Sequence, residues 1–520
     1  MLAACAAAAV GIVVLARPGQ QSLVRIYDPT GQVKDEVTSG DIVPASIEVS
    51  GAFADWALSF HFTPDGARKI HLLTQALAQR GAQVHVPQAF AFAVGGHVYA
   101  RPTVDYENSP DGLSGRAGLQ ILGLRCDVAQ RLAVQMRKPL FTPEQIGCVQ
   151  GARPKPARRG TAVVVVAGSS HTCALTAAGG VDCWGTNHFG ELGDGTAEGA
   201  FVPNPSPVSV TGLTGGIRTI SSGSDHTCVL MKRGTVSCWG LNQFGELGEG
   251  DLVNRNAPVA VRGLKGIRAI TAGDGQTCAL TSSKAVWCWG LNIQGQLGDG
   301  TTVNRSRPVR VHGLGPVRSI DAGGVHTCAV TTVGAVRCWG FNEFGQLGDG
   351  TTVDRHTPVP VAGLAAGVRM IAAGGLHTCA LTTGGRVLCW GGNSQGQLGD
   401  GTTKKRLTPV AVSGLRDVTA IAAGDSYACA LTSTRKVECW GYNPNGQLGD
   451  GTTRTRLTPV VVAGLGGVRA IAAGGSHACA LLASGGLECW GANQYGQLGD
   501  GTIHDRHAPV AVAGFGPERH

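Results

Sequence analysis

Two cysteines ten residues apart, the second always followed by Trp-Gly, recur seven times between Cys173 and Cys489. Cys173 pairs in this spacing with Cys183, Cys228 with Cys238, Cys278 with Cys288, Cys328 with Cys338, Cys379 with Cys389, Cys429 with Cys439, and Cys479 with Cys489. Successive first cysteines lie 55, 50, 50, 51, 50 and 50 residues apart, a period of radial or stacked repeat architectures and far longer than one helical hairpin. In the last unit four short apolar runs, Val468–Ile471, His477–Leu482, Leu487–Trp490 and Pro509–Val512, alternate with turn residues. Four strands per unit is the make-up of a propeller blade, so the chain is expected to be mainly β.

Facing residues of an antiparallel pair have a constant sum of residue numbers, so if Cys173 faces Cys183, Leu175 faces Val181. The same rule sets Leu230 against Val236, Leu280 against Val286, Val330 against Val336, Leu381 against Val387, Leu431 against Val437 and Leu481 against Leu487. All of these pairs are apolar. Side chains two residues apart share a sheet face, which puts each cysteine pair on the packed side of its blade. Facing Cα atoms lie about 4.5–5.5 Å apart, within reach of a disulfide. Seven intra-blade disulfides are therefore expected, with zinc ligation and buried free thiols as the rival readings. Structural zinc usually takes ligands about two to four residues apart, a spacing the repeats lack. Disulfides need an oxidising compartment, so the region is expected to work outside the cytoplasm.

An enzyme needs an unrepeated cluster of nucleophile, base and orienting group, whereas the polar residues here recur with the repeat. His171, His226, His326, His377 and His477 precede the first cysteine by two positions, with Gln276 and Tyr427 in the other two units. Gln and Tyr keep a polar tip but not ligation, so structural hydrogen bonding is expected, and a metal-binding ring is the rival. Gly-Asp-Gly-Thr turns supply Asp194, Asp299, Asp349, Asp400, Asp450 and Asp500, with Glu249 in the second unit. Arg255, Arg305, Arg355, Arg406, Arg456 and Arg506 follow these turns. One acid per loop cannot cage calcium, so a side-chain-capped turn with a local ion pair is expected. No catalytic residue, cofactor or metal site is assigned.

Positions that differ between units are where a ring-shaped scaffold can encode recognition. Just before the glycine of Gly-Gln/Glu-Leu-Gly stand Phe189, Phe244, Gln294, Phe344, Gln395, Asn445 and Tyr495. Tyr495, Phe189 and Phe244 fall in units seven, one and two, neighbours once a ring closes. With Phe344 they form a candidate binding patch; packing beneath the loop is the rival reading.

The N-terminal third has another texture. Residues 1–16 are almost wholly apolar and read as a membrane anchor, a cleaved signal segment, or a lipoprotein start around Leu2-Ala3-Ala4-Cys5; each exports the rest of the chain. Residues 24–140 read as an α+β domain: strands at Ile42–Val49 and Trp56–Phe62, helices at Pro64–Arg80 and about Asp127–Lys138, and a hairpin at Ala89–Val104 around Gly95-Gly96. Cys126 and Cys148 are candidates for one more disulfide, which leaves Cys5 alone among the 17 cysteines. Residues 151–160 (GARPKPARRG) are a basic, proline-containing linker. Residues 1–160 carry 16 basic and 12 acidic side chains and the remainder 27 and 23, too even a balance for a nucleic-acid footprint.

The stretches Ala472–Leu482 (AAGGSHACALL), Trp490–Thr502 (WGANQYGQLGDGT) and Ala508–Val512 resemble the repeat of the regulator of chromosome condensation family, with close versions in all seven units. That resemblance covers about residues 162–516 and implies a seven-bladed β-propeller of the secreted bacterial type. Seven whole units can close a ring, the first opening with Ala162–Gly168 and the last finishing with Pro509–Phe515. Guanine-nucleotide exchange, the activity of the family's founder, depends on an inserted wedge that this chain lacks. Leu58–Ala67 (LSFHFTPDGA), Phe92–Pro102 (FAVGGHVYARP) and Arg116–Ile121 resemble the extracytoplasmic head subdomain of the SecD family over about residues 37–140, which implies a small ferredoxin-like fold. Leu124-Arg125-Cys126-Asp127 departs from that family's usual helix start.

These readings converge on an exported, non-catalytic binding scaffold of the bacterial cell envelope, held at the membrane by its N-terminal segment, with a protein as partner and no nucleic acid. The family includes secreted inhibitors, so inhibition of a β-lactamase or penicillin-binding protein is one alternative. Cell-wall glycan binding is another.

Overall fold

The computed structural model describes residues 160–197 and 203–516 throughout, and upstream the backbone of ten strands between Ile12 and Leu124. The chain divides into two compact units, residues 1–155 and 156–520. In the first unit the expected strands are present as Ile42–Ser50 and Trp56–Phe62, paired antiparallel, with Leu119–Leu124 on the other edge of Trp56–Phe62. The expected hairpin is seen as Phe92–Val94 against His97–Ala100. The helices expected at 64–80 and 127–138, the pairing of Cys126 with Cys148, and Cys5 lie outside the described residues.

The second unit is seven four-stranded antiparallel sheets, each built from four strands consecutive in the chain. Blade one is Ala162–Ala167, His171–Thr176, Val181–Gly185 and Asn204–Ser209; blade seven is Val468–Ala473, His477–Leu482, Leu487–Gly491 and Arg506–Ala511. The outer strand of blade seven starts three residues before the apolar run that marks it in the sequence, because Arg506 pairs with Gly491 across the ladder and ties its guanidinium to Asp500. Each outer strand carries a proline at the same place, Pro258 and Pro308 among them. An edge residue without an N–H blunts a row of free backbone groups that would otherwise invite another chain.

The register is the one the cysteine arithmetic requires. Cys173 faces Cys183 and Leu175 faces Val181 in blade one. In blades two to seven Cys228 faces Cys238, Cys278 faces Cys288, Cys328 faces Cys338, Cys379 faces Cys389, Cys429 faces Cys439 and Cys479 faces Cys489, each beside its apolar pair. All seven pairs are disulfides with Cα atoms 4.1 Å apart, slightly closer than the range expected for facing strands. The zinc and free-thiol readings therefore fall for these fourteen residues, Cys238, Cys338, Cys389 and Cys439 included.

Each bridge sits in a core shared by two blades. Around Cys278 and Cys288 pack Leu280, Val286, Leu297 and Val311 of blade three, closed by Val317, Ala329 and Trp339 of blade four. The tryptophan after each second cysteine is thus the lid on the preceding blade's core.

A polar layer stitches the same interfaces. Thr277, Thr327 and Thr378 donate their hydroxyls at 2.9 Å to the carbonyls of Glu246, Gln296 and Gln346 in the preceding blade. Trp289, Trp339 and Trp390 donate their indole N–H to those same carbonyls at 2.7–2.9 Å. Since these hydroxyls donate to the carbonyl, the histidine Nε2 that meets each must carry the proton. His226 meets Thr277 and His326 meets Thr378 at 2.8 Å, and His477 meets Thr172 across the closing seam at 2.7 Å. Burial holds these imidazoles down, His171 and His377 to about 4 and His226, His326 and His477 to about 3, so they are neutral at ordinary pH.

The two departures from this pattern have a physical logic. Blade seven has Ala478 in place of the threonine, and blade six answers with Tyr427, whose hydroxyl reaches the His477 carbonyl instead. Blade six has Ala428 at that position, and His377 facing it is left with both ring nitrogens unpartnered and buried. Ala428→Thr is expected to supply the missing acceptor and raise stability by about 1 kcal/mol, read as a higher guanidinium midpoint. Combined with His377→Ala the gain should vanish; a gain that survives would locate the effect elsewhere.

Candidate binding face

The hairpin turns between first and second strands and the long loops between third and fourth strands emerge on one face of the ring. Around the channel mouth the turns are held together by close backbone approach: a Cβ on Gly223 would lie 2.2 Å from the carbonyl oxygen of Gly273 in the next blade. The mouth is not uniform. Ser224 donates to Asp274 at 2.7 Å, and Asp425 also lines it. Crowding in the mouth, and then the Asp274 carboxylate, push Asp425 up to about 6. Deeper in the wall, burial pushes Asp321 up to about 6, while Thr271 Oγ1 and the Ala373 amide donate to its two oxygens. Asp274 and Asp425 hold the same position in blades three and six and Asp321 has no counterpart, but Asp321 is tied to its neighbours and no imidazole stands between Ser224 and Asp274. Among the described residues no group of three or more His, Cys, Asp and Glu is placed to hold a metal.

The long loops are built on a buried asparagine that follows Trp-Gly by two positions. In blade three Asn292 accepts from the Leu297 amide at 2.9 Å and donates to Asp299, to the Thr301 carbonyl and to the Val303 carbonyl at 3.0–3.2 Å. Asp299 accepts from the amide and hydroxyl of Thr301 and pairs with Arg305 at 2.8 Å. This is the expected turn with its ion pair, and Asp349, Asp400, Asp450 and Asp500 repeat it. In blade two Arg255 pairs with both Glu249 and Asp251 at 2.7 Å. The asparagine escapes a search for chemistry because it is the same in every unit, yet that recurrence is the signal that would have found it.

The four aromatic residues of the candidate patch lie on this face, half-buried. Their backbone N–H groups bond the side chain two residues on, Phe189 to Glu191 and Phe244 to Glu246 at 2.7–2.8 Å, and Phe344 to Gln346 and Tyr495 to Gln497 at 3.0–3.1 Å. Phe189 packs edge-on to His188 with centroids 4.2 Å apart, and Phe344 similarly to Phe341 at 6.2 Å. The backbone of each is thus anchored in the loop and its ring is partly exposed.

Glu191 and Glu246 stand where five blades have Gln, and each buries one carboxyl oxygen without a partner. Burial, opposed by turn amides and reinforced by the Asp225 carboxylate, pushes both up to about 7. A raised acid folds most readily when neutral, so the penalty is absent below the ordinary value of 4.5, grows as pH rises, and is complete above about 7. Glu191→Gln and Glu246→Gln are each expected to stabilise the propeller at pH 8 by on the order of 1–2 kcal/mol and to do little at pH 4. Thermal melts at the two pH values read this directly, and equal shifts at both would contradict it.

Comparison with known proteins agrees with this geometry. The RCC1-like domain profile matches residues 114–368, and the regulator of chromosome condensation (RCC1) repeat profile matches residues 384–431, 437–481 and 484–518. The chain is 33% identical over 173 residues to the ultraviolet-B receptor UVR8 of Arabidopsis thaliana, covering 29% of this chain and 37% of that protein. It is 36% identical over 104 residues to the probable E3 ubiquitin-protein ligase HERC4 of Homo sapiens, covering 20% of this chain and 10% of the ligase. It thus spans well under half the length of these curated relatives. Among solved structures, human WBSCR16 superposes with a TM-score of 0.57 at 25% identity, over 64% of this chain and 93% of that one. Yeast RCC1 (Prp20), in its complex with Kap60, gives 0.57 at 22% identity over 70% and 86%.

Proposed function

Because its propeller belongs to the regulator of chromosome condensation (RCC1) repeat family, we propose that this chain is a non-catalytic scaffold that binds a protein partner on the loop face, outside the cytoplasm. The observation that carries the reading is the division of labour within the repeat. Residues that recur in the blades are consumed by packing and hydrogen bonds, whereas the loop face carries positions that vary from blade to blade, four of them half-buried aromatic residues held on a rigid ring. Rigid loops lose little entropy on docking, which favours binding. The disulfides support an oxidising compartment.

On this reading Tyr495, Phe189 and Phe244, with Phe344, anchor the partner, and residues 1–16 and 37–140 serve as envelope anchor and SecD-like head domain. The test is affinity capture from envelope extract with the full chain, comparing wild type with a triple variant carrying Phe189→Ala, Phe244→Ala and Tyr495→Ala. A protein retained by wild type and weakened roughly 100-fold or more by the triple variant fits the reading, since anchors of this kind cost about 2 kcal/mol or more each. Capture untouched by the variant would dismiss the patch, and retention of cell-wall polymer alone would favour glycan binding.

A further inference from the structure

Six of the seven long loops present one residue at an equivalent tip: Val253, Val303, Val353, Lys404, Arg454 and His504, on blades two to seven in that order. In every case the tip carbonyl accepts from the buried loop asparagine at 3.0–3.1 Å, so the backbone is pinned alike and only the side chain changes. All six are exposed. Three valines on consecutive blades, 54–57% exposed, are followed by three basic residues on the next three. Leu252 and Ile293, 59% and 58% exposed, extend the aliphatic arc, and Lys405 extends the basic one. The arginines at the loop bases are taken up by Asp and Glu, but Lys404, Lys405 and Arg454 enter none of the ion pairs among the described residues.

We infer that the loop face is a two-sector docking surface for an acidic protein segment, which lays apolar side chains on the aliphatic arc of blades two to four and carboxylates on the basic arc of blades five to seven. This rests on the protein-binding reading above and specifies the partner's chemistry. The aliphatic arc supplies affinity by removing apolar surface from water, and the basic arc supplies orientation and a salt-sensitive on-rate. Segregation of the sectors to opposite halves of the ring argues for a polypeptide. A membrane-docking surface would instead set its apolar residues in one face bordered by basic ones, all facing the same lipid.

The test pans a random-peptide display library against the oxidised full-length chain. Enriched peptides should combine Asp or Glu with Leu, Ile or Phe. Their affinity should fall roughly tenfold or more, equivalent to about 1.4 kcal/mol, when Val253→Ser, Val303→Ser and Val353→Ser are combined. A similar fall is expected when Lys404→Ser, Lys405→Ser and Arg454→Ser are combined, which should also flatten the salt dependence. These side chains are exposed, so the variants are expected to keep the wild-type circular dichroism spectrum, which checks that they fold. Neutral or basic peptides, or affinities indifferent to both variants, would overturn the inference. Peptides lost only with the alanine variant of Phe189, Phe244 and Tyr495 would overturn it while leaving the protein-binding reading standing. Absence of any enrichment would overturn it too. So would co-sedimentation with phosphatidylglycerol vesicles that both serine variants abolish, which would make the face a lipid-binding one.

Discussion

Reducing the seven disulfides is expected to unfold the propeller in buffer where the oxidised protein stays folded. Each bridge closes a loop of ten residues' separation, worth roughly 3 kcal/mol on the chain-entropy model. Seven such loops sum to roughly 20 kcal/mol, which exceeds the usual stability of a folded domain, about 5–15 kcal/mol. The buried sulfurs also make the route predictable. Every bridged cysteine is at most 1% exposed, so dithiothreitol reaches it only through opened blades. Alkylation and mass spectrometry should therefore show slow reduction in buffer and rapid reduction near the denaturation midpoint. Loss of the strand signal in circular dichroism should track the thiols released. A fully reduced propeller, with all fourteen of its thiols alkylated, and an unchanged guanidinium midpoint would remove the disulfides from the list of what holds the fold.

How much of this was legible in the chain depended on the range of the interaction. Hairpin pairing is local and parity is strict, so two cysteines ten apart with an apolar pair two residues inside fixed the register of every second and third strand. Contacts between blades are encoded differently. Nothing near Trp339 announces that its ring closes the core of the blade before it, because the partner Leu297 lies 42 residues upstream and only ring geometry brings them together. The histidines were legible as hydrogen-bonding groups but not their acceptors, which sit one position further along in the next repeat. The aromatic patch drew the eye because aromatic residues are large. The aliphatic and basic tips escaped notice because Val, Lys and Arg are ordinary surface residues until an exposed, pinned carbonyl shows them to be displayed.

Trp184→Ala is expected to open the ring at its one interface without a covalent connection. Neighbouring blades elsewhere are joined by the loop from an outer strand to the next inner strand, so a weakened interface there still has its partner tethered, and reclosing a short loop costs little entropy. Blade seven meets blade one only through non-covalent contacts. Trp184 is fully buried there among Cys479, Leu481, Leu487, Leu498 and Val512, with Phe515 6.0 Å away between ring centroids. Its indole N–H donates to the Gln497 carbonyl at 2.9 Å. Gly499 lies so close above that a Cβ there would come within 2.7 Å of the indole nitrogen, leaving no slack for collapse around a smaller side chain. Truncation should cost about 3–5 kcal/mol, the range for buried tryptophan in a core that cannot relax. Trp339→Ala removes equivalent contacts inside the ring, so the two variants should lose similar global stability yet fail differently. Hydrogen exchange in Trp184→Ala should quicken first in Ala162–Ala167 and Val468–Ala473, the inner strands that flank the seam, well below the denaturant concentration of global unfolding. Trp339→Ala should show no such early opening, and matching exchange patterns in the two variants would mean the seam is no weaker than any other blade boundary.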